Sequence, residues 1–268
     1  MATNTKALRI RIKSVSSTLQ LTKAMGLVAS SKIRKANDAM LRVRQYKRSL
    51  TEAMQVFCST REAKGNPFFT VRETGRTRVL VIAGDRGLAG GYNANVFRYA
   101  ATLDNARFYP IGKRACERFG GEIISSEVFT FEFAQKIACQ LCAEFQDSEY
   151  DKLGILYTRY RSVISQEPVL EWVLPLERQD RAELAGSIFE PDYHTVLEGA
   201  AQEYVAGLIF SAVRESFACE VAARRMAMDS AGKNAKEMID SLQLQYNRAR
   251  QGAITQEITE IVAGSGNE

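Results

Sequence analysis

The sequence predicts an α/β protein in which a long antiparallel two-helix coiled coil, supplied by the chain termini, is joined to a central α/β domain. Three observations predict it. All five prolines, Pro67, Pro110, Pro168, Pro175 and Pro191, lie in the middle, so the 66 residues before them and the 77 after them contain no breaker of a helix interior. Both ends carry apolar residues at a mean spacing near 3.5. The middle alternates strand-like and helix-like stretches.

In the front segment, alternating steps of four and three from Leu8 to Phe57 visit fifteen positions, all apolar except Thr22, Gly26 and Lys47. A 3.5-residue period held for seven heptads makes the seam of a left-handed coiled coil, narrower than the stripe of a helix lying on a globular core. The back segment repeats the pattern through Leu197, Ala201, Tyr204, Leu208 and Ala212, and again through Ala235, Met238, Leu242, Tyr246, Ala249 and Ala253. Small residues are frequent there and admit a close partner, so the two ends are expected to pair antiparallel. Helices from about Thr5 to Ser59 and from about Thr195 to Ala263 would run roughly 80 and 100 Å, projecting as a rod beyond the middle.

Between them, "TRVLVIAG" from Thr77 reads as a buried strand, "NANVFRYAATL" as a helix, "ARFYPIG" as a strand and "FAQKIACQLCAEF" as a helix. "KLGILYTRY" and "VLEWVLPLE" add strands. Strands separated by helices predict a Rossmann-like layer with a substantially parallel sheet. The predicted plan is residues 1–60 as the N-terminal coiled-coil helix, 61–190 as the α/β domain and 191–268 as the C-terminal coiled-coil helix.

Charge is unevenly spread. Residues 1–50 hold twelve Lys and Arg against the single acid Asp38, a charge of +11, while the whole chain is only +5, so the remainder carries −6. A basic first segment implies an acidic partner. Five cysteines without framework spacing argue for a reducing compartment, and Cys139 and Cys142 are expected to be buried core residues rather than metal or redox groups. No apolar run approaches the roughly 20 residues that span a bilayer, and no signal-peptide apolar region opens the chain, which predicts a soluble chain.

Catalytic patterns are scarce. "GDRGLAGGYN", Gly84 to Asn93, could cradle a phosphate on backbone N–H groups, but it fits neither G-x-x-x-x-G-K-[ST] nor G-x-G-x-x-G. A tight strand-to-helix connection whose glycines supply positive φ is expected instead. His194, the only histidine, has no ligand-spaced neighbours and is expected to cap or decorate the last helix. No catalytic residue, cofactor site or metal site is predicted. Two functions remain: a nucleic-acid-binding coiled-coil protein gripping phosphates through the basic front helix, or a mechanical protein whose paired helices enter a partner assembly. Before Phe57 the only aromatic is Tyr46, which weakens the first.

The residues themselves then point to a family. "RIRIKSVSSTLQLTKAMGLVASSKIRKA", Arg9 to Ala36, and "RESFACEVAARRMAMDSAGKNAKEMIDSLQLQYNRARQGAITQEITEIVAG", Arg214 to Gly264, closely resemble the two end segments of the gamma subunits of F-type ATP synthases, and "GDRGLAGGYN" resembles that family's central signature. The resemblance implies a non-catalytic central rotor shaft that transmits torque between a membrane c-ring and the catalytic beta subunits. It implies the alpha3beta3 ring, epsilon and the c-ring as partners, no nucleic acid, no cofactor, and membrane association only through the complex. The chloroplast branch's thiol insertion is not visible, so a bacterial cell membrane is implied, with the chain peripheral on its cytoplasmic side.

By the same resemblance, Arg250 and Gln251 match the catch that hydrogen-bonds a loop of beta. Thr255 and Glu257 match the same coupling region. Met25, with Lys23 beside it, matches the stretch that faces beta's acidic lever. Arg9, Lys13, Lys23, Lys32 and Arg34 are expected to supply exchangeable attraction as the shaft turns. Gly26 stands where a larger residue is usual in the family and is expected to soften the shaft, while "VAGSGNE" limits the apolar tip to Val262.

Overall fold

In a computed structural model of the chain, residues 2–72, 75–178 and 189–265 are described. They divide into two compact units, residues 1–29 with 225–268 and residues 30–224. Helix α1 (Ala2–Cys58) and helix α5 (Tyr193–Ser265) contribute to both.

The larger unit is organised on a four-stranded sheet of β1 (Thr77–Ile82), β2 (Ala106–Ile111), β3 (Lys152–Tyr160) and β4 (Gln166–Leu174), in the order β2-β1-β3-β4. β1 is parallel to both neighbours, whereas β3 and β4 are antiparallel. The sheet is therefore substantially parallel, as expected, with β4 as the one antiparallel strand among those described. Only residues 161–165 join β3 to β4, too few for a crossover, so the chain must return as a hairpin.

Alternation along β1 sets two faces. Leu80 and Ile82 join Ile111, Leu153 and Ile155 under α4 (Phe131–Gln146) and the first part of α5, which contributes Leu197, Ala201, Val205 and Ile209. Val79 and Val81 face the other way, onto Val96 and Ala100 of α2 (Tyr92–Ala100). A sheet covered on both sides needs such apolar strands. The short α3 (Lys113–Phe119), which follows β2, was not foreseen.

The glycine-rich turn after β1 works differently from expectation. Of its four glycines only Gly90 has positive φ, and the non-glycine Leu88 shares that conformation at φ 60°. Gly84 is required for close approach: a Cβ there would lie 2.6 Å from the buried Glu220 carboxyl carbon. Glu220 of α5 pairs with Arg224, whose guanidinium also donates to the carbonyl oxygens of Arg86 and Gly87. Burial raises the Glu220 pKa, and the hydrogen bond and charge of Arg224 only partly oppose this.

Asp85 is the hub of the turn. Its carboxylate accepts from Lys113 N (3.0 Å), Ser125 Oγ (2.7 Å), Ser126 N (3.1 Å) and Glu127 N (2.9 Å). Burial pushes its pKa up, but these four hydrogen bonds together outweigh burial and leave it below the usual 3.8. A depressed carboxylate contributes stability above its unfolded pKa that is lost as pH falls through the folded one. Asp85→Asn is therefore expected to lose about 1–3 kcal/mol at neutral pH and to show a smaller further loss below pH 3.8 than the parent. Urea melts at a series of pH values read both effects.

Two further expectations need correction or detail. Cys142 is buried, its thiol pushed up to about 12 chiefly by burial, but Cys139 is exposed, because it lies on the solvent side of α4. The cap of α5 is Asp192, which accepts from Thr195 N and Oγ1, while the exposed His194 meets Asn66 Nδ2 at 3.0 Å through Nδ1.

Candidate coupling surface

The seam of α1 is occupied along its whole predicted length. All fifteen positions from Leu8 to Phe57 are buried or half-buried. In the larger unit the partner is α5. Ala36 and Met40 cluster with Ala218, and Gly207 sits so close to α1 that a Cβ there would lie 2.1 Å from Leu50 Cδ1. The front cations in this unit are largely spent internally. Arg44 pairs with Glu215 (2.7 Å), Lys47 with Glu171 (2.7 Å) and Lys32 with Glu127. Lys32 is thus committed to an intramolecular partner, whereas Arg34 is exposed.

The smaller unit is a two-helix pair. A Cβ at Gly232 would lie 3.7 Å from Thr22 Oγ1, and one at Gly26 would lie 3.6 Å from Met228 Cβ, so the helices run antiparallel. The α5 seam here passes through Met228, Ala235 and Leu242, all buried, with Ile239 half-buried between the last two. Met238, the predicted seam residue, is exposed, so the step from Ala235 is four residues rather than three.

Carrying this register along the pair places Leu8 opposite Tyr246, both half-buried, and brings Ala253 level with the start of α1. Beyond that point no helix among the described residues lies opposite α5. Ala253 is half-buried, and every residue from Ile254 to Val262 is exposed, including Ile258, Ile261 at 70% and Val262 at 64%. Further apolar side chains stand outside the seam at Ile10, Leu21, Leu27, Met226 and Leu244, Leu27 being 73% exposed. Exposure of this much apolar surface marks an interaction site.

The six predicted contact residues all fall in this unit, in two patches. Lys23 is exposed and Met25 half-buried on α1; Arg250, Gln251, Thr255 and Glu257 are exposed on α5. At the observed register the patches are about 30 Å apart along the pair, so they cannot form one pocket. Thr255 donates to the carbonyl oxygen of Gln251 (3.0 Å) within its own helix. The side chains of Arg250, Gln251 and Glu257 meet no partner among the described residues, as is true of the cations of Arg9, Lys13 and Lys23. Arg250, Ile254, Glu257, Ile258 and Ile261 share one stripe, in which polar groups are set among apolar ones.

Gly26 has room for a side chain, since the nearest approach is ordinary van der Waals contact. Gly26→Ala is expected to raise the melting midpoint of this helix pair, with a gain of about 0.5–1 kcal/mol. Thermal circular dichroism of the full chain checks it, and a loss would show that the contact with Met228 is tighter than described.

The comparisons agree with this architecture. A family model described as ATP synthase matches residues 4–266. The ATP synthase gamma chain of Ruminococcus albus is 40% identical over 288 residues, covering 99% of each chain. The sodium-ion-specific ATP synthase gamma chain of Acetobacterium woodii is 36% identical over 298 residues, again covering 99% of each. Among solved structures, a chain of the Euglena gracilis mitochondrial ATP synthase rotor shares the fold, with TM-score 0.69 at 18% identity over 95% of this chain and 100% of that one. No helix among the described residues is long and apolar enough to cross a membrane. Matched over nearly its whole length by these relatives and by the family model, the chain belongs to the gamma-chain family of ATP synthases.

Proposed function

We propose that the chain is the central rotor shaft of an F-type ATP synthase, coupling ion flow through a membrane c-ring to ATP synthesis or hydrolysis on beta subunits. It carries no catalytic group of its own. The observation that carries this reading is the far end of α5, where Ile254, Ile258 and Ile261 are exposed with no cover among the described residues, while polar Arg250, Gln251 and Glu257 stand among them. Such a surface suits a sleeve made by other subunits. Within the plan of segments 1–60, 61–190 and 191–268, the outer two form the shaft, and the middle one docks on epsilon and the c-ring. That arrangement sets the chain on the cytoplasmic side of a bacterial membrane, held there only through the complex.

The mechanism rests on asymmetry. One shaft inside three identical beta subunits offers each a different face: cations of α1 to one, the mixed stripe of α5 to another. Moving a site between 1:99 and 99:1 occupancy of its two forms takes about 5.5 kcal/mol of differential contact. Charge-assisted hydrogen bonds from Arg250 and Gln251, with steric exclusion by the isoleucines, reach that magnitude. Exposed ion pairs from Arg9, Lys13, Lys23 and Arg34 are individually weak, so partners exchange readily during a turn. Lys32, held by Glu127, contributes less than its neighbours.

Co-purification tests the assignment. The tagged chain is expected to bring down alpha and beta in three copies each per copy of itself. Retention of DNA at physiological salt without those subunits would instead favour the nucleic-acid reading, which no relative supports.

A further inference from the structure

A cavity of about 330 Å³ lies in the larger unit between α1, α5 and the segment before α4, at the lower end of the roughly 300–1,000 Å³ range of small-molecule sites. Its apolar lining comes from Ala36 and Ala39 of α1 and Phe217 of α5. Its charge is unbalanced. Glu127, the one acid in the lining, is already neutralised by Lys32. Lys35 is exposed and has no ion-pair partner among the described residues.

Arg214 is the more telling group. Half-buried, it donates to the carbonyl oxygens of Glu127 (3.5 Å) and Phe129 and lies over the Phe210 ring at 5.0 Å from its centroid. No carboxylate pairs with it among the described residues, and burial lowers its pKa. A half-desolvated guanidinium compensated only by carbonyl dipoles and a ring face gains from a nearby anion.

We propose that this cavity binds an amphipathic carboxylate, with its apolar chain against Ala36, Ala39 and Phe217 and its anionic head toward Lys35 and Arg214. Charge complementarity and the apolar lining select that class over a bare inorganic anion or a neutral lipid. Its test is independent of the shaft assignment, because it reads binding to the isolated chain alone.

Titration calorimetry of the full chain with decanoate and with decanamide tests it. Decanoate is expected to bind about tenfold or more tighter than the uncharged amide. Lys35→Glu, an exposed change that leaves folding intact, is expected to remove most of that preference, and Ala39→Trp to abolish binding by filling the cavity. Absence of decanoate binding, equal binding of acid and amide, or binding unchanged in both variants would overturn the proposal.

Discussion

Replacing Arg250 and Gln251 together by alanine is expected to lower ATP synthesis by the assembled complex about tenfold or more while leaving assembly intact. Both side chains are exposed and meet no described partner within the chain, so their removal disturbs neither the seam nor the fold. What they can lose is a contact to another subunit. A hydrogen bond involving a charged group is worth about 1.5–3 kcal/mol, and each 1.4 kcal/mol is a factor of ten. Alanine at Lys23 alone would remove at most the one exposed intersubunit ion pair proposed for it, worth about 0–1 kcal/mol, and is expected to change coupling far less. Membrane vesicles carrying each variant, assayed for ion-driven synthesis and for subunit content, separate the two. Full activity in the double variant would remove the catch from this surface.

Gly112→Ala is expected to cost the larger unit about 3 kcal/mol or more. Gly112 follows β2 at φ 94° and ψ 139°, a region that only glycine occupies comfortably, and a Cβ there would stand 1.9 Å from the carbonyl oxygen of Ala83. That oxygen belongs to backbone, and backbone here cannot yield. Ala83 N donates to Ile111 O (2.9 Å), Gly112 N donates to Ile124 O (2.7 Å), and Arg114 N donates to Gly84 O (3.0 Å). The strain of about 1–3 kcal/mol for the dihedral alone therefore adds to overpacking of similar size. Gly120 supplies the control. Its φ is 84°, yet nothing lies within 4 Å of its Cβ position, so Gly120→Ala is expected to cost only the dihedral part. Equal losses in the two variants, measured by urea denaturation, would show that the Ala83 contact is not the cause.

How much of this was legible in sequence depends on range. The α1 seam was, because a heptad period is local and every position it named is covered. The α5 seam slipped by one residue at Met238, since Ile239 is also apolar and periodicity alone cannot choose between adjacent candidates. The strands were legible as apolar runs, but not the reversal of β4. The five residues between β3 and β4 carried that signal, through loop length rather than composition.

In the glycine-rich turn the glycines drew attention, whereas Asp85 does the clamping. Its donors come from residues 113 and 125–127, far along the chain, and no local pattern announces them. Glu220 and Arg224 were hidden for the same reason. The proposed coupling residues were named by resemblance alone, and structure adds where they stand: in two patches on a helix pair, with the α5 patch at the point where the described seam runs out.

The chain offers its own handle for the decisive measurement. Cys139 is the one exposed thiol of the five, while burial raises the pKa of Cys58 to about 11 and that of Cys142 to about 12. A bead attached through Cys139 to the surface-anchored alpha3beta3 complex is expected to turn in one direction under ATP, pausing three times per revolution. Steady ATP hydrolysis with a bead that never turns would contradict the account.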